Sequence, residues 1–467
     1  MNEECNLVVN NYTNFYFIGI GGIGMSSLAR YFISKKHVVG GYDRVSSDIT
    51  TNLQIEGASI HFEDTISSIP NVFLDKNKTL IIYTPAIPSN HKELTYFRNS
   101  SYKVIKRAEL LGLITTSTKG LCVAGTHGKT TSSTLLAHLL NISSLKCNAF
   151  LGGISTNYGS NFLLNANSEY TVIEADEYDR SFLRLNPFAS IITSVDPDHL
   201  DVYSEEESFF EGFQKYADLI NSQGLCVLKH GINLNTKCPK FTYSVTSSKA
   251  DYYAYNIESD DSDFFMTIVT PNKTEYRVKL GLPGIHNAEN ALACFALLSE
   301  LKISSQLLIE GLKTFRGVKR RFEYIIKSKE LVYIDDYAHH PSELMALIDS
   351  LKLLYPDKPI SLIFQPHLFS RTRDFMNDFV EQLNRVDQLI LMPIYPAREE
   401  PIEGVSSDIL LSKVNVLDKY LFSKKQVLSF YSSVNKGVVV TSGAGDIDGV
   451  VSELKSILLN EKKEENA

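Results

Sequence analysis

The sequence predicts an α/β protein of three domains, each built around a mainly parallel sheet. Three observations lead there. Strand-like and helix-like stretches alternate along most of the chain, and the strand-like ones are continuous apolar runs, as expected for strands covered on both faces. Two glycine-rich loops, Gly19–Gly24 and Gly125–Gly128, each lie between such a strand and a helix. The chain has 467 residues, about three domains at ~150 residues apiece.

The elements follow in order. Phe15–Ile20 is an apolar run that reads as a strand, and the first glycine loop leads into a helix over Met25–Ser34. Val38–Tyr42 is the next strand, and Leu80–Thr84 another, closed by Pro85. Gly120–Ala124 is a strand feeding the second glycine loop and a helix over Thr130–Leu140. Tyr170–Glu174 and Ser190–Val195 are strands that end in acidic loops. Between Ala250 and Lys279 polar residues alternate with Phe264, Met266, Ile268, Tyr276 and Val278, which predicts a small antiparallel patch. Leu331–Ile334, Ile360–Phe364, Gln388–Pro393 and Val438–Ser442 form a last set of buried strands, and the charged tail Glu461–Ala467 is expected to fray. Domains are expected at 1–115, 116–322 and 323–467.

Composition excludes several classes of function. Apolar residues make up 43% and charged residues 21%, ordinary values for a globular protein and not those of a disordered or fibrous one. The net charge is −8 and no basic stripe stands out, so nucleic acid is not an expected partner. The acidic start Met1-Asn2-Glu3-Glu4 lacks the basic head and apolar core of a signal peptide. No run approaches the ~18 apolar residues that span a bilayer. Six scattered cysteines without a C-x-x-C pair argue against a disulfide framework or a zinc cluster. A cytoplasmic protein, monomeric or weakly dimeric, is the expectation.

Gly19-Ile20-Gly21-Gly22-Ile23-Gly24 fits G-x-G-x-x-G in the strand–helix setting that the fingerprint requires, so the first domain is expected to be Rossmann-like. Gly21, Gly22, Ile23 and Gly24 are candidates to hold a pyrophosphate, and Asp43 stands where a ribose-binding acid belongs. The pattern does not separate a nicotinamide dinucleotide from a UDP-sugar, and a tight turn without a ligand would look alike.

Gly125-Thr126-His127-Gly128-Lys129-Thr130-Thr131 ends in the G-K-T of a P-loop, and the central domain is read as a P-loop ATPase-type parallel-sheet domain. Its loop amides can cradle ATP phosphates, Lys129 can reach the β and γ oxygens, and the Thr130 hydroxyl can hold Mg²⁺. The loop is shorter than the usual pattern, since Val123 stands five before Gly128. Glu174-Ala175-Asp176-Glu177 and Asp196-Pro197-Asp198-His199 each follow a strand, on the edge where a parallel sheet binds ligands. Solvated loop carboxylates are the plain alternative; beside a P-loop they suit a metal that carries ATP phosphates. A pyrophosphate loop and an ATP loop in one chain weaken a dehydrogenase reading and favour a ligase or kinase that acts on a nucleotide-linked substrate.

With these motifs the sequence resembles the Mur ligases, ATP-dependent amino-acid ligases of peptidoglycan synthesis. The resemblance runs through Phe17–Met25, Gly125–Thr130, Glu174–Glu177, Asp198-His199, His286–Asn290, Gly317–Phe322, Asp335–Pro341, Gln365–His367, Arg371–Arg373 and Tyr395–Ala397. It implies ATP and Mg²⁺ as cofactors, and it points to the branch that takes UDP-N-acetylmuramate and L-alanine. Lys129 and the loop would bind ATP. Thr130, Glu174 and His199 would hold the metal. Asn290 and Asn287 would contact adenine, and Arg321 and Asp336 would complete the nucleotide site. His339 and Arg371 would face the amino acid, and the first glycine loop would take the UDP pyrophosphate. The C-terminal domain would be Rossmann-like, and ligands spread over three domains imply closure. The resemblance departs at Leu368, where the family often has arginine. No lysine lies between Glu174 and His199 to be carbamylated, as in several siblings. No base for the incoming ammonium stands out; His339 and His199 are the candidates. A recycling ligase that attaches a preformed peptide and a non-catalytic nucleotide-gated regulator are the alternatives.

Overall fold

The computed structural model describes residues 11–116, 118–195, 206–260, 263–397, 399–431 and 437–464. Three sheets organise the chain. The first contains β1 (Asn14–Ile18), β2 (Val38–Tyr42), β3 (Ser59–His61), β4 (Thr79–Tyr83) and β5 (Lys103–Lys106) in the order β3-β2-β1-β4-β5. All its pairings are parallel. Strand β1 is fully buried because helices cover both faces, which explains its unbroken apolar sequence. The expected extension of this strand to Ile20 is corrected: Gly19 turns the chain at φ +87°, and the Gly19 and Ile20 amides both donate to the Tyr42 carbonyl.

The second sheet has ten strands. They are β6 (Lys119–Ala124), β7 (Asn148–Ser155), β8 (Ser160–Leu163), β9 (Tyr170–Glu174), β10 (Pro187–Ile192), β11 (Leu225–Lys229), β12 (Lys240–Ser244), β13 (Tyr252–Asp260), β14 (Asp263–Val269) and β15 (Glu275–Leu280). Its central order is β12-β11-β10-β6-β9-β7-β8, parallel except for the β7–β8 hairpin. The stretch expected as an antiparallel patch begins inside this sheet, because β13 pairs parallel with β12 through Tyr243–Tyr252 and Ser244–Tyr253. The third sheet contains β16 (Glu323–Lys327), β17 (Leu331–Asp336), β18 (Ile360–Phe364), β19 (Gln388–Leu391), β20 (Asp418–Leu421) and β21 (Gly437–Ser442). Its order is β16-β17-β21-β18-β19-β20, with only β16 antiparallel to its neighbour. The last helix, Val451–Glu464, runs into the tail that was expected to fray; its Lys and Glu residues are good helix formers.

Packing divides the chain into two compact units. One comprises Met1–Asn256, Met266–Lys279 and Glu289–Arg316; the other comprises Ile257–Phe265, Leu280–Ala288 and Gly317–Ala467. In the first unit the helix Ile23–Ser34, which follows the first glycine loop, packs on the β7–β8 hairpin. Tyr31 meets Phe150 and Phe162 there, and Asn161 donates to the Ile23 carbonyl at 2.6 Å. This apolar core is continuous from Phe15 and Phe32 to Cys122 and Ile173. It fixes the first glycine loop against the sheet that carries the P-loop.

Candidate functional site

The P-loop leaves β6 at Ala124 and enters the helix Lys129–Ile142. Gly128 takes the N-cap position in the left-handed region, at φ +78°, where a side chain is strained. A Cβ there would also lie 2.6 Å from Asn290 Oδ1, so Asn290 closes the back of the loop. The His127 amide donates to Ser194 Oγ at 3.0 Å, and Thr193 Oγ1 donates to the His127 carbonyl, which ties the loop to the end of β10. Thr126 and Thr131 are buried beside it.

Lys129 Nζ donates to the Gly125 carbonyl at 2.6 Å, the Thr126 carbonyl at 3.2 Å and Glu177 Oε1 at 2.8 Å. Burial works against the ammonium charge, but Glu177, Asp176 and Glu174 outweigh it and hold its pKa above the ordinary lysine value. Glu177 is almost wholly buried, and desolvation pushes its pKa up to about 7 against the pull of Lys129. Thr130 Oγ1 donates to Glu174 Oε1 at 3.0 Å, so the loop threonine and the acid at the end of β9 converge. A Cβ on Gly152 would lie 2.0 Å from Glu174 Oε2, so β7 shapes the seat of that carboxylate. His199 lies outside the described residues, as does the rest of its acidic loop, 196–205. Among the described residues no group of three or more His, Cys, Asp or Glu side chains forms a metal cage.

At the first glycine loop the structure narrows the choice of donors. The Gly21 amide donates to Asp43 Oδ2 at 2.7 Å, and the Gly22 amide donates to the Gly19 carbonyl at 3.2 Å. Asp43 therefore ties the loop internally. The Ile23 and Gly24 amides, in the first turn of the helix, are the ones that form no loop hydrogen bond among the described residues. Arg107, which lies in none of the sequence motifs, reaches this loop. A Cβ on Gly24 would lie 2.0 Å from its Nη1, and its Nη2 donates to Asp176 Oδ2 at 3.4 Å. The signal available was its position just after β5, at the ligand-binding edge of the first sheet.

The second unit gathers the remaining candidates at the ends of β17 and β18. Asp336 is buried, and both its oxygens accept backbone amides, from Phe322 at 2.6 Å and Ala338 at 2.7 Å; burial lifts its pKa to about 6. Arg321 lies over the Tyr337 ring at 4.8 Å and 4.0 Å from Glu343 Oε1. Arg320 holds this turn in place: its guanidinium contacts Asp335 at 3.3 Å and the Gly443 carbonyl at 2.6 Å. His339 Nδ1 lies 2.8 Å from the Tyr337 carbonyl, and its ring meets the edge of His367 with centroids 5.7 Å apart. Arg371 Nη1 stands 3.5 Å from His367 Nδ1, and His367 stacks on Tyr395. Leu368, the departure in this motif, adopts φ +73°, and its amide donates to the Tyr395 carbonyl. The Asn287 side-chain amide donates to the Pro283 carbonyl at 2.6 Å, whereas Asn290 belongs to the P-loop. Arg321, Arg371, His339 and His367 are linked through contacts with Tyr337 and with one another, which places two guanidinium groups able to pair with a carboxylate beside two imidazoles.

Three family models match the chain. They are the catalytic domain of the Mur ligase family over residues 14–118, the Mur ligase middle domain over 123–298, and the Mur ligase glutamate ligase domain over 320–445. The UDP-N-acetylmuramate--L-alanine ligase of Parabacteroides distasonis is 49% identical over 454 residues, covering 96% of this chain and 98% of the relative. The enzyme of the same name from Phocaeicola vulgatus is 46% identical over 97% of this chain and all of its own length. Among solved structures, the UDP-N-acetylmuramate-alanine ligase of Thermotoga maritima superposes with a TM-score of 0.83 at 26% identity, covering 97% of this chain and 99% of that one. A murein peptide ligase from Psychrobacter arcticus shares the fold, with a TM-score of 0.69 at 22% identity over 96% of this chain and 99% of its own.

Proposed function

The chain belongs to the Mur ligase family, and on that premise we propose how its residues carry out the activity of its relatives. It is an ATP-dependent ligase that joins L-alanine to the lactyl carboxylate of UDP-N-acetylmuramate in peptidoglycan precursor synthesis. The chemistry needs activation, because a carboxylate is a poor acyl donor. The carboxylate oxygen attacks the γ-phosphorus of ATP, ADP leaves with the bonding pair, and an acyl phosphate results. The alanine amine then attacks its carbonyl carbon, a tetrahedral intermediate collapses, and phosphate leaves. The first attack brings two anions together, so the groups that matter most are cations and amide dipoles aimed at the γ-phosphate.

The observation that carries this reading is the meeting of Lys129, Thr130, Glu174 and Glu177 at one P-loop. Lys129, held charged by the acids around it, exchanges its Glu177 and loop-carbonyl contacts for the β and γ oxygens. Gly125, Thr126, His127, Gly128, Thr130 and Thr131 are assigned to the phosphates, with the Thr126 and His127 amides, which donate to Ser194, holding the shape of the loop. Mg²⁺ belongs to the proposal, with Thr130, Glu174 and His199 as ligands. Two hard oxygen donors 3.0 Å apart fit an ion that takes only one or two protein carboxylates and fills its other positions with phosphates and waters. When bound, the ion would supply positive charge against the repulsion of carboxylate and triphosphate. Asn290 and Asn287 are assigned to adenine, and Arg321 and Asp336 to the nucleotide site, with Asp336 acting through the two amides it holds.

Ile23, Gly24 and Arg107 are assigned to the UDP pyrophosphate, with Gly21, Gly22 and Asp43 shaping the loop. His339 and Arg371 are assigned to L-alanine. Domains at 1–115, 116–322 and 323–467, a cytoplasmic location and a monomeric or weakly dimeric state complete the proposal. No helix among the described residues is long and apolar enough to cross a membrane. The test is product formation: with UDP-N-acetylmuramate, L-alanine, ATP and Mg²⁺, mass spectrometry should detect the nucleotide sugar heavier by one alanyl residue, with equal amounts of ADP and phosphate. Omitting Mg²⁺ should abolish the product. ADP without a heavier nucleotide sugar would contradict the assignment.

A further inference from the structure

Alanine enters the reaction as an ammonium, which has no lone pair, so a base must take one proton before the nitrogen can attack. The hydrogen bonds around His339 determine which of its ring nitrogens is available. Nδ1 lies 2.8 Å from the Tyr337 carbonyl oxygen and 3.3 Å from Glu343 Oε2. Both neighbours are acceptors, so Nδ1 carries the hydrogen and the lone pair of the neutral ring sits on Nε2. Glu343 is itself fixed, because its Oε2 accepts the backbone amides of His339 at 3.0 Å and His340 at 3.2 Å, closing the cap of the helix Pro341–Leu354. Around the ring stand Arg321, Arg371, His367 and Tyr337, a surrounding that attracts an amino-acid carboxylate and leaves Nε2 the basic atom.

We propose that His339 Nε2 accepts the proton from the ammonium of the incoming amino acid, with Glu343 as the positioning residue that fixes its tautomer. The proposal rests on the amino-acid ligase reading above. The ammonium N–H bond breaks toward Nε2, and its electron pair stays on nitrogen. That pair forms the C–N bond, the acyl C–O bond to phosphorus breaks, and the leaving phosphate takes the second proton from the new amide nitrogen. Burial lowers the pKa of His339, Glu343 opposes this, and Arg371 and Arg321 reinforce it, so the ring is neutral and ready to accept.

The test compares two nucleophiles in the full-length enzyme. Hydroxylamine is already unprotonated in neutral solution, needs no base, and traps the acyl phosphate as a hydroxamate. His339→Gln should cut kcat for alanine ligation by ~10²-fold or more, the usual worth of a general base. Its rate of hydroxamate formation should stay close to wild type. Glu343→Gln keeps an oxygen for the helix cap and removes the charge that raises the His339 pKa. It should move the acid limb of kcat/KM for alanine to lower pH and leave hydroxamate formation intact. Equal losses with both nucleophiles in His339→Gln would overturn the proposal, as would an effect confined to the alanine KM. If the wild-type enzyme forms neither product, the ligase reading fails instead.

Discussion

Lys129 shows how a single residue combines a motif with an environment. Its place in G-K-T is the ground for proposing it as a phosphate ligand, but only the fold shows that it is paired with Glu177 at 2.8 Å and with two loop carbonyls. A desolvated ammonium pre-aligned in this way supplies several kcal/mol of transition-state stabilisation, so Lys129→Ala should lower turnover by ~10²–10³-fold. Binding of UDP-N-acetylmuramate, measured by calorimetry without ATP, should be unchanged. Retention of a tenth of wild-type turnover would remove Lys129 from the phosphate site. The neighbouring residues were less legible. Asp43 and Gly21 sit correctly in the fingerprint, but a sequence cannot reveal that one donates to the other, which leaves Ile23 and Gly24 as the loop's open amides. Asp336 likewise spends both oxygens on backbone amides. Arg107 and Glu343 belong to no motif pattern, and Glu177, though inside the Glu174–Glu177 segment, has no role readable from it; the contacts of Arg107 with Asp176 and of Glu177 with Lys129 join distant parts of the chain.

At the scale of elements, β1, β3 and the helix Lys92–Asn99 are joined by a buried polar cluster that the sequence did not suggest. Tyr16 Oη donates to Glu93 Oε2 at 2.7 Å and lies 2.7 Å from His61 Nε2. Asp64 accepts the Lys92 and Glu93 amides at the helix start and lies 3.2 Å from His91 Nδ1. Glu93 is fully buried, and desolvation pushes its pKa up to about 8, while burial lowers those of His61 and His91. The sign follows from linkage. Glu93 holds its proton more tightly folded than unfolded, so its contribution is complete below the unfolded pKa and is lost as pH rises toward about 8. The histidines work in the opposite direction, but only below ~6.5. Between ~6.5 and ~8 this cluster should therefore cost stability at up to ~1.4 kcal/mol per pH unit. Urea unfolding of Glu93→Gln at the two ends of that window should show a shallower loss than wild type, and an identical slope would contradict the assignment. Elements with continuous apolar runs, such as β6 and β21, were readable because both faces are buried. Short strands such as β3 and β20, partly exposed, carry too few apolar residues to stand out.

At the scale of the molecule, the three-sheet α/β architecture was readable because strand–helix alternation persists through nearly the whole chain. The extent of the second sheet was not, since its outer strands alternate polar and apolar residues and read as a small antiparallel patch added to the middle domain. Choice of substrate separates this enzyme from the peptide-attaching ligases that share its fold. In the proposed assignment Arg371 and Arg321, beside His339 and His367, pair with the carboxylate of one small amino acid. One methyl is all that separates alanine from glycine, worth ~1–3 kcal/mol, so glycine should react slowly. Glutamate and lysine bring an unpaired charge and should be inert. The most direct measurement is ATP-dependent phosphate release with UDP-N-acetylmuramate and L-alanine or L-Ala-γ-D-Glu-diaminopimelate, offered separately and then together. Release should be rapid with alanine and slight with the tripeptide, and the mixture should give an alanyl product. Preference for the tripeptide would contradict that assignment.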